Sequence, residues 1–300
     1  MKIIYGVNNI GKLKKPVVAL GVFDGVHRGH RRILQAAAHK AYALGGTSVV
    51  LTFWPHPQKQ ESLYSLEHRL RLIAELGIDI CIVINFTRHF SGMPAKSFIK
   101  DILADKIGAK YVYVGKNFRF GANAQGGFIL LKKMGGDYGF KAQGIKIIKV
   151  KGLAISSTLI RGLIRKGDIR GAEKLLGRPV SILGTVIKGT AVGRILGFPT
   201  ANINPHHEVI PAAGIYAVRI IFNGNKLKGA CYIGKRPTLE TKNRRVHVEV
   251  HIFNFKKNIY GKYLELQFVQ RIRPDRKFSS LALLTAQIKK DILICRKPLA

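Results

Sequence analysis

Cysteine is scarce. Cys81, Cys231 and Cys295 are odd in number, widely scattered through 300 residues and never in a CxxC pair. Three reduced thiols in a cytosolic protein are expected, not a disulfide framework. No apolar run approaches the length that spans a bilayer. The opening MKIIYGVNNIGKLKK has neither a long apolar stretch nor a small-residue cleavage site, so no signal peptide is expected. Acidic residues are few as well: 16 Asp and Glu stand against 51 Lys and Arg, a net charge of +35. A field of that sign attracts RNA, DNA and nucleotides. The basic residues are dispersed, however, with no long basic run or arginine-rich tail. No specific nucleic-acid partner is therefore expected, and no membrane partner. Apolar residues are plentiful at 47%, which excludes a disordered chain. The length exceeds one typical core and predicts two domains.

The first part of the chain alternates strand and helix patterns. PVVALGVF is a short apolar run suited to a buried parallel strand. In HRRILQAAAHKAYALGG the apolar residues Ile33, Leu34, Ala37, Ala41 and Leu44 recur at helical spacing, and Gly45-Gly46 ends the helix. TSVVLTF, GIDICIVINF and AKYVYVG read as further strands, with IKIIKV a possible fifth. LEHRLRLIAEL and AKSFIKDILADKIG read as helices, the second stopped by Gly108. STLIRGLIRKG and DIRGAEKLLG are two short helices closing the unit. The alternation predicts a Rossmann-like, doubly wound parallel sheet.

After Gly177 the pattern changes, and GRPVS marks the expected boundary between 1–177 and 178–300. SILGTVIKG, GIYAVRIIFNG, KLKGACYIG, RRVHVEVHIFNF and KYLELQFVQRI read as strands, with Asn223-Gly224 a hairpin turn. Val248, Val250 and Ile252 fall on one face of a strand, Glu249 and His251 on the other. Helices are absent until SSLALLTAQIKKDILI, apolar enough to pack as a final helix. This predicts an antiparallel β-barrel with a C-terminal helix.

Several stretches carry possible chemistry. GVNNIGKL nearly spells a P-loop, but Leu13 stands where a hydroxyl must ligate magnesium, and the segment precedes the first predicted strand. GVFDGVHRGH, residues 21–30, sits where a strand turns into a helix, the place where ligands collect in open α/β sheets. Free N–H groups there favour anions, Gly21, Gly25 and Gly29 admit a phosphate, and His27 and His30 can share one face. Three readings stand on local sequence: phosphate binding, zinc with His39 or His56, or a plain helix start. In ISSTLIR, Ser156, Ser157 and Thr158 are good caps and Arg161 could reach phosphate oxygens; an ordinary capped helix reads the same way. In FRFG, Phe118 and Phe120 alternate with Arg119 and could present an aromatic face to a flat ring, or fill core. In GTVIKGTAVGRILGFPTANI, Gly189, Gly193 and Gly197 suit a phosphate-covering loop, and Thr200 and Asn202 offer oxygens to a magnesium ion.

These motifs together carry a resemblance. GVFDGVHRGH resembles the HxGH signature of nucleotidylyltransferases, and ISSTLIR their second signature. With TFWPHP, VGKNFRFG, the glycine-rich GTVIKGTAVGRILGFPTANI, IGKRPTL and VEVHIFNFKKNIYGKYLELQFVQRIR, the chain resembles bacterial bifunctional riboflavin kinase/FAD synthetase from about residue 15 to 290. The resemblance implies phosphorylation of riboflavin to FMN with ATP, then adenylylation of FMN to FAD with release of pyrophosphate. It implies Glu249 as the kinase base and Thr200 and Asn202 as Mg2+ ligands. For the second reaction it implies His27 and His30 stabilising charge at the α-phosphate. ATP would be bound by Gly21, Phe23, Asp24, Gly29, Ser156, Ser157, Thr158 and Arg161 in the first half, and by Gly189, Gly193 and Arg194 in the second. Flavin would be bound by Asn117, Phe118, Arg119 and Phe120, and by Arg273. Departures occur at Asn117, Gly127, Tyr232, Leu239, Asn254 and Lys256, most of them shifts toward positive charge that bear on ligand affinity. Two other readings remain: a basic nucleic-acid-binding protein on an enzyme-like scaffold, and an enzyme with one site disabled.

Overall fold

The computed structural model describes residues 1–58, 61–150, 152–189, 192–206, 208–235 and 246–300. The RPTL part of the IGKRPTL match, with Leu239, lies outside these residues, as do Thr190 and Ala191 of the glycine-rich stretch. The chain divides into two compact units: Met1–Ser62 with Leu66–Ser157, and Leu63–Ser65 with Thr158–Ala300. The boundary expected after Gly177 falls later than this packing division. The helices between the two points carry apolar faces, and the second of them packs on strands of the later sheet.

The first unit begins with β1 (Lys2–Tyr5), β2 (Val17–Leu20), α1 (Arg28–Ala43), β3 (Ser48–Trp54), α2 (Leu66–Ala74) and β4 (Ile80–Asn85). It continues with α3 (Arg88–Ser91), α4 (Ala95–Ser97) running into a π-helix over Phe98–Lys106, β5 (Tyr111–Gly115), α5 (Phe128–Asp137) and β6 (Lys141–Ile145). The two-residue strands β7 (Lys149–Val150) and β8 (Leu153–Ala154) close it. The six longer strands form a parallel sheet in the order β1-β4-β3-β2-β5-β6. All four residues of β2 are buried, as a central strand covered on both faces requires. Ile33, Leu34, Ala37 and Ala41 are the buried stripe of α1, while Leu44 is its half-buried C-cap. The strand order reverses between β2 and β5, so a ligand crevice is expected outside their carboxyl ends. Those ends lead into GVFDGVHRGH and NFRF.

Two expectations are corrected here, a third is refined and a helix is added. β1 precedes β2, so GVNNIGKL does follow a strand; the next element is nevertheless β2, not a helix, and Leu13 still lacks a hydroxyl. IKIIKV gives only the end of β6 and the tiny β7; the sheet strand is Lys141–Ile145. AKSFIKDILADKIG is helical but wound as a π-helix for most of its length, ending before Gly108 at φ 66°. α5 escaped notice because Gly135 and Gly136 lie inside it; Gly135 is needed because a Cβ there would meet Phe140 at 2.8 Å.

The second unit contains α6 (Ser157–Lys166, its first residue counted with the first unit), α7 (Ile169–Leu176), β9 (Val180–Ile187), α8 (Val192–Ile195), β10 (Ala201–Asn204) and β11 (Gly214–Phe222). β12 (Asn225–Lys235), β13 (Val246–Ile252), β14 (Tyr263–Pro274) and α9 (Leu281–Arg296) follow. The six strands close an antiparallel barrel in the order β10-β13-β12-β11-β14-β9. Asn223 and Gly224 have φ of 48° and 78° and join β11 to β12, as the two positive-φ positions of a hairpin turn demand. Val248, Val250 and Ile252 are buried, while Glu249 and His251 are half-buried on the opposite face. Glu208 is buried and accepts from Ser65 N (3.0 Å), Ser65 Oγ (2.7 Å) and Leu183 N (3.0 Å). The expectation of no helix before the last is corrected by α8, while the expected final helix is α9, packed on strands β11, β12 and β14. Only Asp291 and Cys295 of α9 are buried, with Leu281, Leu283 and Leu293 exposed.

Candidate active sites

At the carboxyl end of β2 the backbone turns sharply. Phe23, Gly25 and Val26 take φ of 54°, 81° and 40°. For a β-branched Val that conformation is costly and must be imposed by its surroundings. His27 caps α1: its Nδ1 accepts from His30 N at 3.3 Å. A neutral His27 therefore carries its proton on Nε2. The His27 and His30 rings stack at 3.6 Å, and the Phe23 ring meets His30 edge-on at 5.5 Å. Gly21 lies under Phe23, where a Cβ would touch the ring at 3.0 Å, and Gly29 lies against His27 at 3.1 Å. Phe23, Asp24 and His27 are buried, and Gly29 and His30 are half-buried. The turn thus presents two stacked imidazoles at the N-terminus of a 16-residue helix, a geometry suited to an anion. Among the described residues no three His, Cys, Asp or Glu side chains are grouped to hold a metal ion.

Ser157 is brought to this turn: its hydroxyl donates to Asp24 O at 2.8 Å. That oxygen braces the turn instead of capping α6. Ser156 and Thr158 are exposed. Arg161 is buried and falls, with Thr158, in the second unit, whereas Ser156 and Ser157 fall in the first.

At the carboxyl end of β5, Asn117 is exposed, with Oδ1 close to Gly115. Phe118 and Phe120 share a face, their rings nearly parallel (16°) at 6.1 Å. Phe120 is a core residue, buried against Phe98 and Ala95, so the aromatic surface open to a ligand is that of half-buried Phe118. Exposed Arg119 lies over Gly127, where a Cβ would sit 2.8 Å from its Nη1.

The barrel carries a cavity of about 370 Å³. Phe198, Thr200, Tyr232, Glu249, His251 and Arg273 are among the residues that line it. Tyr232 of β12 and Asn202 of β10 are the direct cross-strand partners of Glu249 on β13, and Tyr232 and Glu249 both line the cavity. Thr200 Oγ1 donates to Glu249 Oε2 at 3.3 Å. The glycine-rich stretch folds back on this row. A Cβ on Gly189 would run into the Asn202 carboxamide, and one on Gly193 would come within 3.0 Å of Thr200 Oγ1. Arg194 is exposed on α8. Arg273 is held by Asp291, with Nε at 3.0 Å and Nη2 at 2.7 Å from its oxygens, while Nη1 donates to Pro274 O. Cys231 lines the same cavity fully buried; burial pushes its thiol well above the ordinary range, with the charges of Cys295 and Glu249 adding to the rise.

His27, His30 and Ser157 share the turn after β2, Asn117 to Phe120 follow β5, and Thr200, Asn202 and Glu249 share one side of the barrel, while Thr158 and Arg161 belong to the second unit. Sequence reading missed Thr52 and Arg69, which donate to the Val22 carbonyl, and His251, which bonds Pro199 O at 2.9 Å and so ties β13 to the residue before Thr200. Asp291, the partner of Arg273, was missed as well.

Residues 10–159 match the family described as FAD synthetase, and residues 176–299 the family described as riboflavin kinase. The bifunctional riboflavin kinase/FMN adenylyltransferase of Escherichia coli (strain K12) is 36% identical over 307 residues, covering 99% of this chain and 97% of its own. The protein of the same description from Buchnera aphidicola subsp. Schizaphis graminum is 38% identical over 311 residues, covering 99% and 98%. A crystal structure described as a macrolide-efflux protein from Streptococcus pneumoniae matches with a TM-score of 0.87 at 28% identity, covering 99% of both chains. Among the described residues of the present chain, no helix is long and apolar enough to cross a membrane.

Proposed function

The chain belongs to the bifunctional riboflavin kinase/FMN adenylyltransferase family, and from that premise we propose how its residues divide two reactions. The enzyme transfers the γ-phosphate of ATP to riboflavin, giving FMN and ADP. It then joins the AMP moiety of a second ATP to FMN, giving FAD and pyrophosphate. We assign FMN formation to residues 178–300 and FAD formation to residues 1–177. The observation that carries the kinase assignment is the cross-strand pair Asn202–Glu249 on β10 and β13, with the Thr200 hydroxyl on the Glu249 carboxylate and both Thr200 and Glu249 lining a cavity.

Glu249 takes the proton of the riboflavin 5′-hydroxyl as that oxygen attacks the γ-phosphorus; the bond to the β,γ-bridging oxygen breaks and ADP leaves. Thr200 and Asn202 offer hard oxygen donors beside that carboxylate, a donor set that fits a magnesium ion. Bound there, the ion would neutralise charge on the transferred phosphoryl group. Gly189, Gly193 and Arg194 lie along the ATP phosphates, and Arg273, fixed by Asp291, orients the flavin from the cavity wall.

In the first half the FMN phosphate is itself the nucleophile and is already ionised at neutral pH, so positioning and charge stabilisation carry the rate. His27, through Nε2, and His30 donate to the α-phosphate as it gains charge. Gly21, Phe23, Asp24 and Gly29 shape the nucleotide pocket. Ser156, Ser157, Thr158 and Arg161 take the departing pyrophosphate, a role that rests on the ISSTLIR resemblance. Asn117, Phe118 and Arg119 receive the flavin, with Phe120 backing Phe118. Buried reduced thiols and water-soluble substrates favour the cytoplasm, and neither nucleic acid nor membrane is needed as a partner. The test is direct: incubate the protein with riboflavin and Mg-ATP and resolve the flavins by chromatography. FMN and then FAD are expected; neither product refutes the reading, and FMN alone refutes the adenylylation half.

A further inference from the structure

Arg69 of α2 is fully buried in the first unit. Burying a guanidinium costs several kcal/mol unless its donors are used. Here Nη1 alone is used, donating to Val22 O at 3.0 Å and Phe53 O at 3.2 Å, while Nε and Nη2 have no hydrogen-bond partner among the described residues. The group lies over the Trp54 ring at 5.4 Å, and buried Asp24 is the charge that most favours its protonated form. Packing alone does not explain the choice, since Leu or Met would fill the same space without a desolvated charge. The two carbonyls it ties stand just beyond the carboxyl end of β2 and within the carboxyl end of β3, on the side of the sheet where the ligand crevice opens.

Val22 O is the last carbonyl before the strained turn. It also accepts from buried Thr52 Oγ1 at 2.8 Å, so two donors hold one peptide. The next residue, Phe23, adopts φ 54°, and its ring edges His30, which stacks on His27. Positive φ at Phe23 and Val26 is strained and persists only where neighbours over-determine it. The contacts run without a gap from Arg69 through the Val22 carbonyl and Phe23 to the stacked imidazoles.

We infer that Arg69 is a positioning residue for FAD formation: with Thr52 it locks the Val22 carbonyl, and through Phe23 sets the aim of His27 and His30. The inference rests on the assignment of FMN adenylylation to residues 1–177. The cost of losing it should appear in kcat and not in KM, because the histidines act on charge that develops only in the transition state.

The experiment uses the full-length chain with supplied FMN and Mg-ATP, measuring FAD formation, and follows riboflavin phosphorylation in the same preparations. Arg69→Met should lower kcat for FAD formation by about 10²-fold, the scale of a misplaced catalytic group. KM for ATP and FMN and the rate of FMN formation should stay at wild-type values. Arg69→Lys, which keeps the charge and a donor, should recover most of the loss. Thr52→Val removes the second donor without touching a charge, and should give a smaller kcat loss, again with unchanged KM; it decides the matter if Arg69→Met does not fold. Wild-type kcat in folded Arg69→Met, or in Thr52→Val, overturns the inference, as does a loss confined to KM. If the wild-type protein forms no FAD, it is the assignment of adenylylation that has failed, not the role of Arg69.

Discussion

Replacing Gly189 by alanine should disable FMN formation while leaving the fold intact. The Cβ would fall on the Asn202 carboxamide, only 2.5 Å from its Cγ, where ordinary contact begins at 3.4 Å. The amide nitrogen would be closer still, so the carboxamide must retreat by more than about 0.9 Å or swing away. What moves is the end of a side chain, and Gly189 lies outside the left-handed region, so stability should change by no more than about 0.5 kcal/mol. The chemistry is less forgiving. Asn202 sits opposite Glu249 and supplies a proposed magnesium oxygen, and a displacement near 1 Å at a reacting centre costs on the order of 10²-fold. The assay is the rate of FMN formation at saturating ATP across a magnesium titration, with thermal melting alongside. The expected result is about a 10²-fold lower rate, half-saturation at higher magnesium, an unshifted melt, and unchanged FAD formation from supplied FMN. Wild-type FMN formation in the folded variant would refute the reasoning, because it would mean Asn202 can leave its place without consequence.

Glu249→Gln should abolish FMN formation and spare FAD formation from supplied FMN, and His30→Ala should do the reverse; either variant losing both reactions while folded breaks the two-site assignment. Phe118→Ala should raise KM for FMN in FAD formation, whereas Phe120→Ala should instead lower stability by about 3 kcal/mol, as truncation of a core ring does; denaturant unfolding and initial rates separate the two. The three buried thiols should resist a soluble thiol reagent in the native protein and all react once unfolded. Burial raises Cys81 and Cys295 from 9.0 to about 12. Their contribution to stability is complete below about pH 9 and is lost as pH rises toward 12, because the unfolded chain releases thiol protons first. Denaturant midpoints should fall over that interval by up to about 1.4 kcal/mol per pH unit per thiol; a flat or rising midpoint contradicts the burial argument.

Periodic and punctuated segments were legible in the sequence. The stripe of α1, the Asn223-Gly224 turn and the alternation around Glu249 follow from local rules, and the structure obeys them. The motif residues were legible as candidates, but their roles separated only in three dimensions. Phe118 and Phe120 look alike in FRFG, yet one faces outward and the other is core. Ser157 reads as a cap and is instead a brace on Asp24. Arg69 was invisible because LEHRLRL reads as an amphipathic helix with a solvated cation; its burial is set by β2 and β3, far away in the chain. β10 was hidden because only Ile203 of its four residues is buried. α9 was legible as a packed final helix, but not the ion pair that its Asp291 makes with Arg273, because the partner lies on another element.

The three-residue segment Leu63–Ser65 has a consequence for how this chain can be divided. It comes from the first half of the sequence and is packed with the second unit, where Ser65 supplies two donors to the buried Glu208 carboxylate. No single cut therefore yields two complete pieces. A fragment starting at 158, or at 178, would deprive Glu208 of both those bonds, each worth on the order of 1–3 kcal/mol when a buried acceptor loses it. A fragment meant to hold the second unit by itself would need residues 63–65 fused to it or supplied in trans.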